Sequence, residues 1–312
     1  MSTMKAIRVH SFGGPEVLSY EDTPRPEPGH SEVLLRVTGT GINPVDWKTR
    51  AGRGVNASLP YIPGWDVSGV VEASDSKNTA FHTGEAVFGL VRFPKPGSTY
   101  AEYTAVPADE IVAKPESLTS VEAAALPLTG LTAWQGLVET TKVAAGQRVL
   151  VLGASGGVGH LAIQIAKARG AHVIGTASES NAAFLRDLGI DEVLDYHQTR
   201  IEESLRDIDV IFDTVGGHTL QQAVPVVKAG GTIVSIAGSP ETEQTRSRGI
   251  HTHRILVHPE AAHLRELVTL VNAGKLRVVI ESVFPLREAS KAHTVQEQGH
   301  VRGKLVLDPT QA

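Results

Sequence analysis

The first third of the chain places apolar residues at alternate positions within short runs. In residues 32–38, Val33, Leu35 and Val37 occupy every second position. A period of two is typical of strands with one face in water, and prolines and glycines separate these runs in the manner of turns. Residues 1 to about 120 therefore predict an irregular β domain.

The pattern changes beyond residue 120, where continuous apolar segments alternate with segments of helical periodicity. A buried strand is predicted over residues 149–152, and apolar residues then recur at helical spacing from Val158 to Ala168. Further strands are predicted over 172–176, 192–195, 209–213, 232–236 and 255–257, with helices at 181–188, 220–228 and 261–272. This alternation predicts an α/β fold with a doubly wound parallel sheet covered by helices on both faces.

Composition and charge narrow the class of protein. The length of 312 residues suggests two domains, and a net charge of −5 with interspersed charges argues against a nucleic-acid partner. The absence of cysteine excludes disulfides, thiol nucleophiles, iron–sulfur clusters and every cysteine-containing zinc site. No apolar run approaches the roughly 18 residues of a membrane helix, and no signal peptide is evident at the amino terminus. A cytoplasmic protein without a membrane partner is expected.

A glycine-rich turn lies between the strand at 149–152 and the helix that follows. It reads Ala154-Ser155-Gly156-Gly157-Val158-Gly159, with Ala154 in the first glycine position of the usual fingerprint. Gly156 would let the backbone approach a pyrophosphate, Gly159 would let helix and strand pack closely, and the helix N-terminus would offer N–H groups to the anion. The context predicts a bound dinucleotide; a purely structural turn and an S-adenosylmethionine pocket are the alternatives.

The end of the second strand predicts which dinucleotide is bound. An acidic residue about 20 residues beyond the turn would hold the ribose of NAD, and Ser178 is the residue expected there. Ser178, Ser180 and Asn181 can donate hydrogen bonds to a 2′-phosphate, which favours NADP(H). Tyr196 and Arg200 are candidates for the remaining contacts. In the competing interpretation Glu179 is the acid and the cofactor is NAD, or Ser180 only caps the next helix.

Five segments together resemble the medium-chain dehydrogenase/reductase superfamily, in its zinc-free quinone oxidoreductase-like branch. They are residues 41–48, 63–71 and 125–134, the glycine-rich turn, and the ending Arg302-Gly-Lys-Leu-Val-Leu307. The resemblance implies a GroES-like β domain made of residues 1–123 and 258–312, in which the strand-like tail runs complete the N-terminal part. A Rossmann domain at residues 124–257 would be inserted between these two parts. The branch also implies a homodimer formed through the sheet edge at 255–257.

The departures from the metal-dependent relatives concern the zinc ligands. The relatives hold catalytic zinc with a Cys, a His and a second Cys, and the matching positions carry Asn43, Trp65 and Ala125. None of these is a zinc ligand. His251 and His253 would share one strand face, but no third ligand is placed beside them. No metal is therefore expected.

Without a metal, the accessible chemistry is hydride delivery to a carbon that is already electrophilic, such as a quinone ring or the β-carbon of an α,β-unsaturated carbonyl. Asn43, Lys48 and Tyr61 are the candidate catalytic residues, with Tyr61 or Lys48 as hydrogen-bond or proton donor to the developing enolate. The resemblance implies that the backbone of Ser235 to Ala237 meets the nicotinamide carboxamide. Thr129, Val215 and Lys304 are further candidates for contacts with the cofactor; the alternative for Lys304 is that its ammonium only reaches solvent. Two alternatives remain: an NADP-binding sensor or structural protein without turnover, and an enoyl reductase dedicated to one pathway substrate.

Overall fold

The computed structural model describes residues 2–74 and 81–311, and the chain divides into two compact units. The first unit joins Met1–Leu131 to two later segments, His258–Val268 and Val278–Ala312, and the second comprises Thr132–Val257 and Thr269–Arg277. Compared with the expected bounds, residues 124–131 belong to the first unit and residues 269–277 to the second. The first unit is thus built from both ends of the sequence.

The amino-terminal part is mostly strand. The first 134 residues form β1 (Thr3–Val9), β2 (Leu18–Pro24), β3 (Glu32–Ile42), α1 (Pro44–Arg50), β4 (Asp66–Ser74), β5 (Ala86–Leu90), β6 (Tyr103–Pro107), β7 (Ile111–Ala113), α2 (Ser120–Ala125) and α3 (Pro127–Trp134). The alternating residues Val33, Leu35 and Val37 of β3 are all buried and pack against Val67 and Val106. The period of two therefore marks the core-facing side of β3, as the sequence predicts.

The second unit alternates strand and helix. Its elements are β8 (Arg148–Leu152), α4 (Gly159–Ala168), β9 (His172–Ala177), α5 (Ala182–Asp187), β10 (Glu192–Asp195), α6 (Ile201–Ser204), β11 (Ile208–Asp213), α7 (Gly217–Ala223), β12 (Val227–Ser235), α8 (Glu243–Ser247) and β13 (His251–Arg254). The strands are parallel and lie in the order β10-β9-β8-β11-β12-β13. This confirms the doubly wound sheet. Its strand order reverses direction between β8 and β11, the place where such folds bind ligands.

The edge strand of this sheet differs from the sequence prediction. Residues 255–257 form the apolar run, yet the strand that pairs with β12 is β13, which consists of His251, Thr252, His253 and Arg254. One further backbone hydrogen bond follows, from Ile255 N–H to the Ser235 carbonyl, and Leu256 is then 64% exposed. An edge strand is selected by backbone pairing and not by burial, so a polar segment fits there. The homodimer through this edge stays a prediction.

The tail returns to the first unit. After α9 (Ala261–Asn272) come β14 (Ile280–Pro285), α10 (Ala289–Gln298) and β15 (Lys304–Asp308). Strand β15 pairs antiparallel with β3, with Leu305 opposite Ile42, and β14 pairs parallel with β15. The sheet therefore runs β14-β15-β3-β4-β5-β7, with β6 also on β3. The tail thus adds two strands to the sheet of the first unit.

Candidate functional site

The glycine-rich turn of the second unit follows β8 and leads into α4. A Cβ atom added at Gly159 would lie 2.1 Å from the Gly153 carbonyl oxygen, so α4 packs on the turn too closely for any side chain. A Cβ at Gly156 would meet only that same oxygen, at 3.6 Å. Packing therefore requires glycine at 159, whereas Gly156 leaves space beside the backbone. The turn fits a pyrophosphate lying against Gly156 at the N-terminus of α4.

The polar groups expected at the 2′-phosphate lie together at the end of β9. The Ser178 hydroxyl lies 2.9 Å from that of Ser180 and accepts a hydrogen bond from Asn181 Nδ2 at 3.0 Å. Tyr196, which directly follows β10, donates its backbone N–H to the Ala177 carbonyl. Its side chain is 46% exposed. These donors share one end of neighbouring parallel strands, as the sequence predicts.

Two other candidates for contacts with the ribose or its phosphate, Arg200 and Glu179, differ in their own contacts. The Arg200 guanidinium forms ion pairs with Glu202 at 2.8 Å and with Glu203 at 3.1 Å. Glu179 is exposed at the first position of a short 3-10 helix beside Ser178. The arginine charge is thus partly neutralised by its own neighbours.

A buried aspartate and a serine organise the ends of β11 and β12. Asp213 Oδ1 accepts the N–H groups of Val215 at 3.0 Å and Gly216 at 2.8 Å, and Asp213 Oδ2 accepts the Ser235 hydroxyl at 2.6 Å. The Ser235 oxygen in turn accepts the N–H groups of Ala237 and Gly238, both at 3.2 Å. The Ser235 side chain is fully buried, so it supports the loop from within.

A second buried polar cluster lies in the first unit and joins the two ends of the chain. The Lys304 ammonium of β15 donates to the Ile42 carbonyl at 2.7 Å and to Asn43 Oδ1 at 2.5 Å, and it lies 3.7 Å from Asp66 Oδ2. Asn43 Nδ2 donates to Asp66 Oδ2 at 2.8 Å, and the Leu128 N–H donates to Asp66 Oδ1 at 2.7 Å. Both ends of the Asn43 amide are therefore occupied inside the cluster.

Two of the predicted site residues are enclosed by this cluster. Asn43 is fully buried and Lys304 is 2% exposed. The Lys304 ammonium is held by acceptors of the first unit because a desolvated cation needs partners. The Asn43 amide orients Lys304 and Asp66. A role of Lys304 at the cofactor and of Asn43 at the substrate stays a prediction.

Burial changes the proton affinity of the acids in this cluster. Asp46 sits on the first turn of α1, and its Oδ2 accepts the Asn43 N–H at 2.6 Å. Burial raises the pKa of the Asp46 carboxyl to about 8; the negative charge of Asp66 adds to the rise, while Lys304 opposes it. Burial also raises the pKa of Asp66, against the opposing charge of Lys304. Asp46 therefore carries a proton at neutral pH.

The raised pKa of Asp46 predicts a pH dependence of stability. Between the unfolded pKa, 3.8, and the folded pKa, about 8, the native state binds one more proton than the unfolded chain, so stability falls as pH rises through this window. The variant Asp46→Asn removes this titration. We expect its thermal midpoint, relative to that of the parent protein, to increase steadily from pH 5 to pH 8.5. A constant difference across that range would contradict the assignment.

A chain of buried groups connects α1 to α10. The Arg50 guanidinium, 1% exposed, donates to His293 Nδ1 at 3.2 Å and forms an ion pair with Glu297 at 2.5 Å. Burial and the charge of Arg50 lower the pKa of His293 to about 3, so the ring is neutral. Since arginine can only donate, Nδ1 is the acceptor and Nε2 carries the proton, which is donated to the Tyr100 hydroxyl at 3.2 Å.

The remaining candidates of the first unit differ in exposure. Lys48 is exposed on α1, with its ammonium 5.7 Å from the centre of the Trp47 ring. Tyr61 is 8% exposed, and its hydroxyl has no hydrogen-bond partner among the described residues. Burial, and then the charge of Asp46, raise the pKa of Tyr61 above its ordinary value. Thr129 is buried and donates to the Ala125 carbonyl at 3.0 Å.

The donor set does not fit a metal ion at the positions that hold zinc in the metal-dependent relatives. The Asn43 amide is committed to Lys304 and Asp66, the Trp65 indole donates to the Lys95 carbonyl at 2.6 Å, and Ala125 has no donor atom. Within residues 2–74 and 81–311, no group of three or more His, Cys, Asp or Glu side chains is arranged to hold a metal.

Three structurally central residues were missed by sequence reasoning. Asp213 had a local signal, because it ends a buried strand immediately before the Thr-Val-Gly-Gly turn, but it was interpreted only as the last strand residue. Asp66 and His293 had no such signal. Their partners lie tens to hundreds of residues away along the chain, so no local spacing indicates the contacts.

Comparison with known proteins identifies the family. The model described as "Alcohol dehydrogenase GroES-like domain" matches residues 29–116, and the one described as "Zinc-binding dehydrogenase" matches residues 188–307. The chain is 35% identical to the NADPH-dependent alkenal/one oxidoreductase, chloroplastic, of Arabidopsis thaliana, over 98% of this chain and 80% of the relative. It is 34% identical to the mitochondrial NAD(P)H oxidoreductase RTN4IP1 of Mus musculus, over 98% of this chain and 89% of the relative.

The structural comparison agrees. The quinone oxidoreductase from Coxiella burnetii is 38% identical and superposes with a TM-score of 0.92, with 98% of this chain and 99% of that chain covered. No helix in the described part of this chain is long and apolar enough to span a membrane. The names of the two relatives include an organelle, so the cytoplasmic location stays a prediction. The chain belongs to the medium-chain dehydrogenase/reductase superfamily, in its quinone oxidoreductase-like branch, and is a nicotinamide-dependent oxidoreductase.

Proposed function

We propose that this protein uses NADPH, without a metal, to reduce the carbon–carbon double bond of an α,β-unsaturated carbonyl compound or a quinone. One observation carries the proposal: at the three positions that hold zinc in metal-dependent relatives, the Asn43 amide is bound to Lys304 and Asp66, the Trp65 indole donates to a carbonyl, and Ala125 has no ligand atom. Alcohol oxidation needs a centre that stabilises an alkoxide. A conjugated acceptor avoids this need because its own carbonyl takes up the developing charge.

Each part of this work is assigned to particular residues of the chain. When bound, the nicotinamide supplies the hydride that adds to the electrophilic carbon of the acceptor. The turn around Gly156 holds the pyrophosphate, and Ser178, Ser180 and Asn181 hold the 2′-phosphate. In the first unit, Tyr61 or Lys48 donates a hydrogen bond to the oxygen that becomes an enolate, and the α-carbon then takes a proton from that donor or from water.

Tyr61 offers a direct test of the donor. Its raised pKa keeps the hydroxyl protonated throughout the neutral range, so it acts as a hydrogen-bond donor there. Replacing it in Tyr61→Phe is expected to lower kcat by roughly 100-fold, since one general acid or oxyanion donor contributes about that much. The Kd for NADPH should stay within about twofold, because this residue has no part in cofactor binding. Undiminished turnover would remove Tyr61 from the mechanism and leave Lys48.

The preference for NADPH has its own test at Ser178. The variant Ser178→Asp places a carboxylate where the 2′-phosphate is proposed to bind, and repulsion between like charges is expected to weaken NADPH binding by about 100-fold. Binding of NADH should change little or improve. Isothermal titration calorimetry with both cofactors measures the two effects. If NADPH binding to the parent protein is no tighter than NADH binding, then Glu179 is the ribose ligand and the cofactor is NAD.

The activity itself is tested by the loss of NADPH absorbance with three acceptors. A short enal and 1,4-benzoquinone are expected to be reduced, and the saturated aldehyde of the same length is not. Rates should be unchanged after dialysis against a strong chelator, because no metal takes part. Consumption of the saturated aldehyde alone, or loss of activity on chelation, would overturn the proposal.

Two other functions predict different results in this assay. A sensor binds NADPH tightly and consumes it with none of the acceptors. A reductase dedicated to one elaborate pathway substrate also ignores the panel, and differs from a sensor in consuming NADPH once that substrate is supplied. The hydroxyl of Tyr61 favours an enzyme, because it is a donor that has no hydrogen-bond partner among the described residues.

A further inference from the structure

The Asp213–Ser235 pair lies beside the reversal in strand order of the parallel sheet. Asp213 ends β11, one of the two strands between which the order reverses, and Ser235 ends the adjacent β12. Both side chains are fully buried. Across the reversal, the Thr214 hydroxyl donates to the Leu152 carbonyl of β8 at 2.7 Å. The pair therefore sits where a doubly wound fold binds its ligand. It lies on the other side of the reversal in strand order from the glycine-rich turn.

The carboxylate has an unusual set of partners for a buried charge. It accepts two peptide N–H groups and one hydroxyl, and among the described residues no cation forms an ion pair with it. A buried carboxylate without hydrogen bonds would be very unfavourable, and donors on both oxygens offset this cost. Because the Ser235 proton is given to Asp213, the Ser235 oxygen is left to accept, and it accepts two further N–H groups from Ala237 and Gly238.

These hydrogen bonds fix the orientation of four peptide groups. In a planar trans peptide the N–H and the preceding C=O point in opposite directions. Since the N–H groups of residues 215, 216, 237 and 238 point at the pair, the carbonyls of Thr214, Val215, Ile236 and Ala237 point away from it. Within the described residues these four carbonyls accept no hydrogen bond from the chain. Val215 is 50% exposed and Ala237 is exposed, so this rim is open.

The two halves of the sheet thus offer opposite chemistry. At the turn after β8, the N-terminus of α4 presents N–H donors, which suit a phosphate. The rim after β11 and β12 presents carbonyl acceptors, which suit the amide NH₂ of a carboxamide and ribose hydroxyls and disfavour a phosphate. An asparagine at 213 could keep its oxygen on the N–H groups of Val215 and Gly216, but its NH₂ would face the Ser235 hydroxyl, which could no longer donate there, so the second loop would lose its support.

We propose that Asp213, acting through Ser235, is a positioning residue for the nicotinamide half of the cofactor: it draws in four peptide N–H groups and thereby turns the opposed carbonyls outward as acceptors for the carboxamide and ribose. This inference rests on the nicotinamide cofactor and is independent of the acceptor that is reduced. Asp213 itself touches neither cofactor nor substrate.

The test separates the two halves of the cofactor. Binding of NADPH and of adenosine 2′,5′-bisphosphate, which lacks the nicotinamide half, is measured by calorimetry for Asp213→Asn, Ser235→Ala and Asp209→Asn. Asp209 is the matched control: it lies on the same strand β11 at the opposite end and also accepts a backbone N–H, from Arg148. Circular dichroism confirms that each variant is folded.

We expect Asp213→Asn to weaken NADPH binding by about 30-fold and Ser235→Ala by about 10-fold, since hydrogen bonds to loops and cofactor are lost together. Binding of the bisphosphate should stay within about twofold, and Asp209→Asn should change neither. The proposal would be overturned if Asp213→Asn weakened the binding of NADPH and of the bisphosphate equally, or changed neither affinity. If Asp213→Asn does not fold, Ser235→Ala decides by the same contrast.

Failure of the proposed function gives a different result. A protein that consumes none of the acceptors but shows the contrast between NADPH and the bisphosphate keeps this inference and loses the reductase. If the parent protein binds NADH in preference to NADPH, the same contrast is measured with NADH and adenosine 5′-diphosphate. If the parent protein reduces the enal normally but Asp213→Asn weakens the binding of NADPH and of the bisphosphate equally, the proposed reductase function stands and the proposed role of Asp213 is rejected.

Discussion

Replacing Gly156 with alanine is expected to weaken NADPH binding on the order of 100-fold while leaving the protein as stable as before. A Cβ there meets only the Gly153 carbonyl oxygen, at 3.6 Å, so the folded chain tolerates it. The methyl group instead fills the space through which a pyrophosphate reaches the backbone. The free energy of unfolding should change by less than about 1 kcal/mol, and in the stabilising direction, because alanine restricts the unfolded chain.

The matched variant is Gly159→Ala, three residues along the same turn. Its Cβ would lie 2.1 Å from the Gly153 oxygen and 2.8 Å from the Ala154 Cα atom, both of them backbone. The turn must therefore move, at an expected cost of about 3 kcal/mol in stability together with loss of cofactor binding. Calorimetric titration and urea unfolding separate the two variants. Wild-type affinity in Gly156→Ala would show that no ligand approaches this side of the turn.

Removing the Lys304 ammonium is expected to cause a large loss of stability. In Lys304→Met the apolar stem is kept but Asp66 and Asn43 lose their cationic partner while remaining buried. Breaking a buried pair in this way costs about 3–5 kcal/mol, because an uncompensated charge is left behind. The control is Lys291→Met. Lys291 forms an ion pair with Glu288, and its side chain is 68% exposed. Removing this surface ion pair should lower the free energy of unfolding by less than about 1 kcal/mol.

Charge compensation distinguishes this explanation from simple loss of packing. In the double variant Lys304→Met, Asp66→Asn no buried charge remains between the two positions, and Asn43 is free to turn its amide. We expect part of the lost stability to return, with urea unfolding followed by tryptophan fluorescence, to which the buried Trp65 contributes. A double variant less stable than Lys304→Met, or a single variant as mild as Lys291→Met, would contradict the assignment.

The parts of the fold that the sequence predicts are those with a local signature. The alternation in β3 and the strand–turn–helix at residues 148–168 depend on residues a few positions apart, and both are found as predicted. The edge strand β13 was misplaced by four residues because backbone pairing with β12, and not apolar character, selects it. The spacing of apolar residues along the sequence indicates which strands lie in the interior of a sheet, but it says much less about the strand at the edge.

The buried clusters show the opposite case. Asn43, Asp66 and Lys304 are brought together by the pairing of β15 with β3, which joins positions more than 250 residues apart. Nothing in the neighbourhood of Lys304 distinguishes a buried ammonium from a lysine at the surface. Sequence reasoning therefore left Lys304 either beside the cofactor or at the surface, whereas Ser178, Ser180 and Asn181, which are close in sequence, do lie together.

The pairing of β15 with β3 also sets an order of events during synthesis. The second unit has all of its strands once Arg254 has been made, so its parallel sheet can form early. The first unit cannot complete its sheet until β15 has left the ribosome, even though most of its strands are made first. Proteolysis of ribosome-bound chains halted at Gly303, just before β15, should therefore protect a fragment of the second unit more strongly than any fragment of the first. During that interval the edge of β3 at residues 40–42 lacks its partner strand and is open to pairing with other growing chains.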